Sequence, residues 1–335
     1  MPTRSLLYKA AFILSIALPA IGHAQASSSI KLGYAKCAHC TPMALTPEYA
    51  SGVNVEAIGF NTGNDVLTAL VSKSIDVAQV TYLHYATALD RGFDLVAISG
   101  QINGGSQTLI GNALPVKEND WEGLKKVIAD YKKEGKPFRV AASRGNAQDL
   151  HMRGSLAAHG IMVDKDVQFV NIPNPSDHVQ ALRRGEVELV TSVEPFATQI
   201  RQANAAKFFA FPYDQAAGRL TNLVVTRSDV IAEKPQAVQE TVRAIVKVDE
   251  RISADKPLWI ATIQKYTGLD KAIASDAVEN LSPDYKIHRA SAVAIARMMF
   301  DLKYITKDVS AAVEKNMDYR YLEAATGKPK TELGY

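Results

Sequence analysis

NDVLTALVSKSIDVAQVTYLHYATALDRGFDLVAIS, residues 64–99, alternates helix-length and strand-length patterns. Between Asn64 and Lys73 the apolar residues Val66, Leu67, Leu70 and Val71 recur at helical spacing and share one face, which a helix covering a sheet requires. Residues 75–80 and 95–99 are short β-like runs with another helix-length stretch between them. Toward the amino terminus, residues 30–34 and 53–60 extend the series. Beyond the charged segment 117–136 a second series begins, with strand-like runs at 139–143, 167–172, 187–191 and 207–211. Its helices have sharp ends: Asn174 or Ser176 caps the one that Gly185 closes, and Pro195 suits the first turn of the next. This βαβα rhythm predicts an α/β protein with parallel strands and crossover helices. Residues 218–226 read as one more strand. The remainder is helical, with Val238, Val242 and Ile245, then Ala292, Ile295 and Met299, at helical spacing. That tail fits either series.

The first 26 residues have the layout of a secretory signal. Arg4 and Lys9 precede an apolar run at 10–21, followed by the small-residue stretch Gly22, His23, Ala24, Gln25, Ala26. The run is about a dozen residues, where a bilayer span needs about twenty. Cleavage after Ala24 or Ala26 is expected, and with no cysteine at the end of the run, a free exported protein. The formal charge of +3 includes Arg4 and Lys9, and removing them leaves +1. Such a chain has no clustered Lys/Arg stripe, which argues against nucleic acid as a partner. It is also long enough to divide into two lobes.

Three stretches in register resemble the taurine, sulfonate and nitrate binding proteins, a family of ABC-importer components that also holds thiamine-precursor binders. The first is residues 64–99, which look like the family's helix, "I-D-x-A" strand, helix and strand. The second is RVAASRGNAQDLHMRGSLAAHGIMVDKDVQFVN, residues 139–171, where a Gly-polar-small turn opens a helix. The third is DHVQALRRGEVELVTSVEPF, residues 177–196, which contains the family's Glu-Pro. The resemblance implies a two-lobed periplasmic binding protein fold, type II-like, each lobe a mixed, mostly parallel sheet flanked by helices. Residues 27–112 and 220–335 would form lobe I and residues 113–219 lobe II, with crossing strands near 108–112 and 220–225. It also implies a monomer in the periplasm, without cofactor or catalysis, that delivers a small solute to an inner-membrane permease. The solute would bind between the lobes, at the carboxyl ends of strands.

Candidate contacts follow from that placement. The turn Arg144, Gly145, Asn146, Ala147, Gln148 follows a strand and opens a helix, where free N–H groups and the helix dipole favour an anion; the same residues also suit a plain strand-to-helix turn. The loop after the first strand holds Cys37, His39 and Cys40, and these are the only two cysteines of the chain. A local disulfide is the expected state outside the cell. Two other readings stay open: soft metal ligation of copper or zinc by Cys37, His39 and Cys40, with His84 or His151 as a further ligand, or a nucleophilic cysteine as in a desulfinase that resembles this fold family. Asn61 and Thr62, Thr81 and Tyr82, and Glu194 complete the candidates, each with a plain structural alternative as helix entry, core ring or dipole partner. The family often has an aromatic directly before its Glu-Pro; here that residue is Val193.

The chain shows no GxSxG elbow, HExxH, P-loop or GxGxxG after a strand. The expectation is therefore a binder of a small anion or zwitterion, with taurine or another alkanesulfonate first.

Overall fold

Residues Val77–Thr81 are buried at every position, as in a strand covered on both faces. They belong to a computed structural model that describes residues 29–335; the expected signal segment and its cleavage site lie outside the described residues. Eleven strands are described: β1 (Ser29–Ala35), β2 (Asn54–Phe60), β3 (Val77–Thr81), β4 (Leu95–Gly104), β5 (Ser106–Ile110), β6 (Arg139–Ala142), β7 (Gln168–Asn171), β8 (Leu189–Val193), β9 (Lys207–Ala210), β10 (Asn222–Arg227) and β11 (Leu281–Asp284). They form a six-stranded sheet in the order β11-β4-β10-β3-β1-β2 and a five-stranded sheet in the order β7-β6-β8-β5-β9.

Both sheets are mixed. β1 runs parallel to β2 and β3, and β6 to β7 and β8, as the βαβα rhythm requires. The strands that follow each change of sheet run the other way: β10 is antiparallel to β3 and β4, and β5 to β8 and β9. The chain leaves the first sheet at Gly104 and Gly105, not within residues 108–112, because β4 continues past Ser99 and β5 already pairs in the second sheet at Thr108. Both glycines have positive φ, +92° and +86°, a conformation that side chains with a Cβ rarely adopt. The return passes beside them: Gly104 N–H donates to the Arg219 carbonyl (2.8 Å) and the Thr221 hydroxyl to the Gly104 carbonyl (3.0 Å). His151 clasps both passages, its Nε2 at 3.0 Å from the Leu220 carbonyl and its Nδ1 at 2.8 Å from the Ser106 hydroxyl.

Each sheet has its own core. Ile30, Leu32, Val77 and Val224 of the first cluster with Val242, Ile245, Ile295 and Met299, so helices Pro235–Ala254 and Arg289–Asp301 of the tail pack on this sheet. Ile110, Val140, Leu156, Leu189 and Phe209 form a separate cluster around the second. A large aliphatic side chain buried this way contributes about 2 kcal/mol.

Candidate functional site

The carboxyl ends of β1, β2 and β3 face those of β6 and β8 across a cleft, and between them lies a cavity of about 50 Å³. A single water needs about 10–15 Å³ on this measure, so the space suits a solute of a few heavy atoms.

The first-lobe wall is built from three strand ends, one strand interior and one strand start. After β1, Cys37 and Cys40 are joined through their sulfurs, with Cα atoms 4.9 Å apart. His39 between them is buried, and burial, helped by nearby His151, pushes its imidazole down to about 3, so it is neutral. After β2 come Asn61, Thr62 and Gly63. Thr62 and Asp65 form a reciprocal cap on helix Gly63–Val71: the Asp65 N–H donates to Thr62 Oγ1 (3.2 Å) and the Thr62 N–H to Asp65 Oδ2 (3.1 Å). A Cβ on Gly63 would sit 2.6 Å from the His84 ring and 2.8 Å from Asn146 Oδ1, so only glycine permits this approach of the two lobes. At the end of β3, the Thr81 N–H donates to His84 Nδ1 (3.2 Å), which leaves the proton on Nε2 to face Asn64 Oδ1 (3.1 Å). Asn64 Nδ2 then donates to the Arg144 carbonyl of the other lobe (3.0 Å). Burial holds His84 down at about 4, neutral as this chain of bonds requires. Gln79, inside β3, and Asn222, at the start of β10, complete the wall.

The second-lobe wall centres on helix Ala147–Ala158. Its N-cap, Asn146, makes no side-chain cap, so the N–H groups of Ala147 and Gln148, which line the cavity, have no partner within the helix. Asp149 in the first turn is engaged elsewhere, accepting from the Gly145 N–H (3.1 Å) and pairing with Arg153 (2.8 Å). Ser143, Pro173, Pro175, Val193 and Phe196 close the remaining side.

Of the residues expected from sequence, Cys37, His39, Cys40, Asn61, Thr62, Thr81, Asn146 and Ala147 lie around this cavity. Tyr82, Arg144, Gly145 and Glu194 stand outside it. Tyr82 turns into the first-lobe core, its hydroxyl accepting from the His288 N–H (3.2 Å). Arg144 stacks over the Phe169 ring at 4.8 Å, and Gly145 makes the left-handed turn before the helix, its N–H on the Tyr304 hydroxyl (2.7 Å). Glu194 is a fully buried junction between lobes. Its carboxylate accepts from the Thr198 N–H (3.0 Å) and Asn280 Nδ2 (2.8 Å), and its carbonyl from the Ala38 N–H (2.9 Å). Burial pushes Glu194 up to about 7 against those hydrogen bonds. Gln148, the last residue of the turn read from sequence, also lines the cavity, and Lys36, Gly63, Gln79, Ser143, Phe196 and Asn222 line it without having been singled out. Gln79 is an amide inside the strand-like run 75–80, and Phe196 supplies the ring that Val193 does not.

The donor atoms of Cys37, His39 and Cys40 lie within 4.8 Å of one another, a grouping that would suit a soft metal with both sulfurs as thiolates. Here the sulfurs are bonded to each other, and so neither is a thiolate nucleophile. His84 and His151 are engaged with Thr81 and Asn64, and with Ser106 and Leu220, and complete no ligand set.

The family model described as NMT1-like matches residues 23–262. No match is found among curated proteins. Among solved structures, the periplasmic nitrate-binding protein NrtA from Synechocystis PCC 6803 superposes with a TM-score of 0.77 at 16% identity, covering 92% of this chain and 91% of that one. The alkanesulfonate-binding protein SsuA from Xanthomonas axonopodis pv. citri, bound to MOPS, gives 0.71 at 16%, covering 87% and 98%. A zinc-bound ligand-binding component of an ABC-type import system from Staphylococcus aureus gives 0.74 at 13%, covering 90% and 100%. At these identities the likeness is one of fold.

Proposed function

Because the chain belongs to the NMT1-like family, we propose that it is the solute-binding component of an ABC importer, which captures a small anionic or zwitterionic solute between its lobes. The observation that carries this reading is the uncapped start of helix Ala147–Ala158, whose free N–H groups and dipole lie at the cavity between the lobes. The fold it shares with the nitrate- and alkanesulfonate-binding proteins supports the same reading. Closure about the paired passages at Gly104–Gly105 and Arg219–Thr221 would enclose the solute for delivery to the permease. The signal-like residues 1–26 support export to the periplasm, and sequencing the amino terminus of the exported protein tests it.

Thermal melts of the mature protein against taurine, other alkanesulfonates, nitrate, bicarbonate, small carboxylates and pyrimidines test the class. A solute at about a hundred times its Kd stabilises by about 2.7 kcal/mol, a shift of a few degrees at this size. A saturable shift with one of them supports the reading. A shift with zinc or copper alone, present only after reduction, would move the weight to Cys37, His39 and Cys40.

A further inference from the structure

We infer that the solute is a small anion that carries its own uncharged hydrogen-bond donor, an O–H or N–H, which Asn222 and Gln79 receive. This rests on the binding reading above and narrows it. Asn222 is 1% exposed, and its Nδ2 donates to the His39 carbonyl (3.0 Å) and faces Gln101 Oε1 (3.4 Å). Two acceptors on one side fix the amide, so its Oδ1 is presented as an acceptor. That oxygen is buried and has no partner in the protein, and the same is true of both amide atoms of Gln79, also 1% exposed. Both residues line the cavity. An unmet buried acceptor costs about 1–3 kcal/mol, so a solute that donates here recovers energy that a solute without a donor leaves lost.

The opposite wall has the reverse character. Ala147 and Gln148 present N–H groups at a helix start that no side chain caps, which calls for an acceptor, best an anion. The charge balance then separates an anion from a zwitterion. Lys36 is the charged side chain on the lining, no aspartate or glutamate among the described residues joins it, and His39 is neutral. An ammonium group buried against Asn222 and Gln79 would have amide oxygens but no carboxylate to offset its lost hydration. A hydroxyl or amide N–H meets the same acceptors without that cost. Bare anions such as nitrate would accept at the helix end and from Gln79 Nε2 but leave Asn222 Oδ1 unmet.

Calorimetry on the mature protein with two matched series tests this: isethionate, taurine and ethanesulfonate, then 3-hydroxypropanoate, β-alanine and propanoate. Within each series the anionic end is constant and the far end is hydroxyl, ammonium or methyl. In at least one series the hydroxyl compound is expected to bind more tightly than both others by about tenfold or more. Gln79→Leu removes only amide atoms without partners, so the unliganded protein should melt at the same temperature or higher while the preference for hydroxyl over methyl shrinks. Asn222→Leu should abolish that preference. Equal binding of hydroxyl and methyl compounds, or tightest binding of the ammonium compound, would overturn the inference and leave the binding reading standing. Failure of all six to bind the wild-type protein would overturn both for solutes of this class.

Discussion

The two helices that open onto the cleft begin differently. Gly63–Val71 is closed by the reciprocal Thr62–Asp65 cap, so its first turn is satisfied from within the first lobe. Ala147–Ala158 follows an asparagine, a residue well suited to capping, yet Asn146 leaves the helix uncapped, its Oδ1 near Gly63 across the cleft. One helix start is satisfied from within its own lobe and the other is not. On the binding function proposed above, the second lobe would hold the anion and the first lobe would close over it.

The largest expected effect tests whether the neutral side chains that hold both lobes in place stay neutral. Burial depresses His39 to about 3 and His84, His151 and His178 to about 4, while their unfolded values lie near 6.5. Between about pH 6.5 and 4 the unfolded chain binds more protons at each imidazole, so stability falls as the pH falls. Glu194, raised to about 7, and Asp249, raised well above its usual value by burial, oppose this because the folded state keeps their protons in the same window. Four imidazoles outnumber two carboxyls, which leaves a slope of about two protons, on the order of 3 kcal/mol per pH unit. Denaturant titrations from pH 7 to 4.5 check this, and a flat or rising stability on acidification would refute it.

Asn146→Asp sharpens the contrast between the helix starts. A carboxylate there can cap the helix and also repels an anion, so calorimetry should show affinity reduced by about a hundredfold while the melting temperature is unchanged or higher. Ala147→Pro is subtler. Asn146 is extended, with ψ of 169°, and the first helical position accepts proline, so the change removes one N–H donor and keeps the helix. Affinity should drop by about tenfold with little change in melting temperature. Thr62→Ala is the mirror experiment: loss of the cap should cost about 1 kcal/mol, about 2 °C at this size, with affinity nearly unchanged. Should Thr62→Ala cost more affinity than Ala147→Pro, the assignment of the two helix starts would be reversed.

The fold was legible because the strands are short apolar runs bounded by helical periodicity, and because the tail's spaced residues Val242, Ile245, Ile295 and Met299 do bury one face. What periodicity could not show was which sheet they cover, since either lobe offers an apolar face. The antiparallel course of β5 and β10 was equally hidden, because strand direction depends on where the chain changes sheets. In the site, residues after strand ends were the readable ones, as with Asn61, Thr62, Asn146 and Ala147. Tyr82 and Glu194 also follow strand ends, but the Tyr82 ring packs into the first-lobe core and Glu194 turns into the lobe junction. Gln79 and Asn222 were missed because a polar residue within a strand reveals nothing of which face is open until its neighbours are known.

His151 has a mechanical consequence. By holding Ser106 and Leu220 together it ties two adjacent passages into one junction. In the closure that the proposed function requires, both passages would turn about that junction as one, and a solute one methylene too long would leave the cleft ajar.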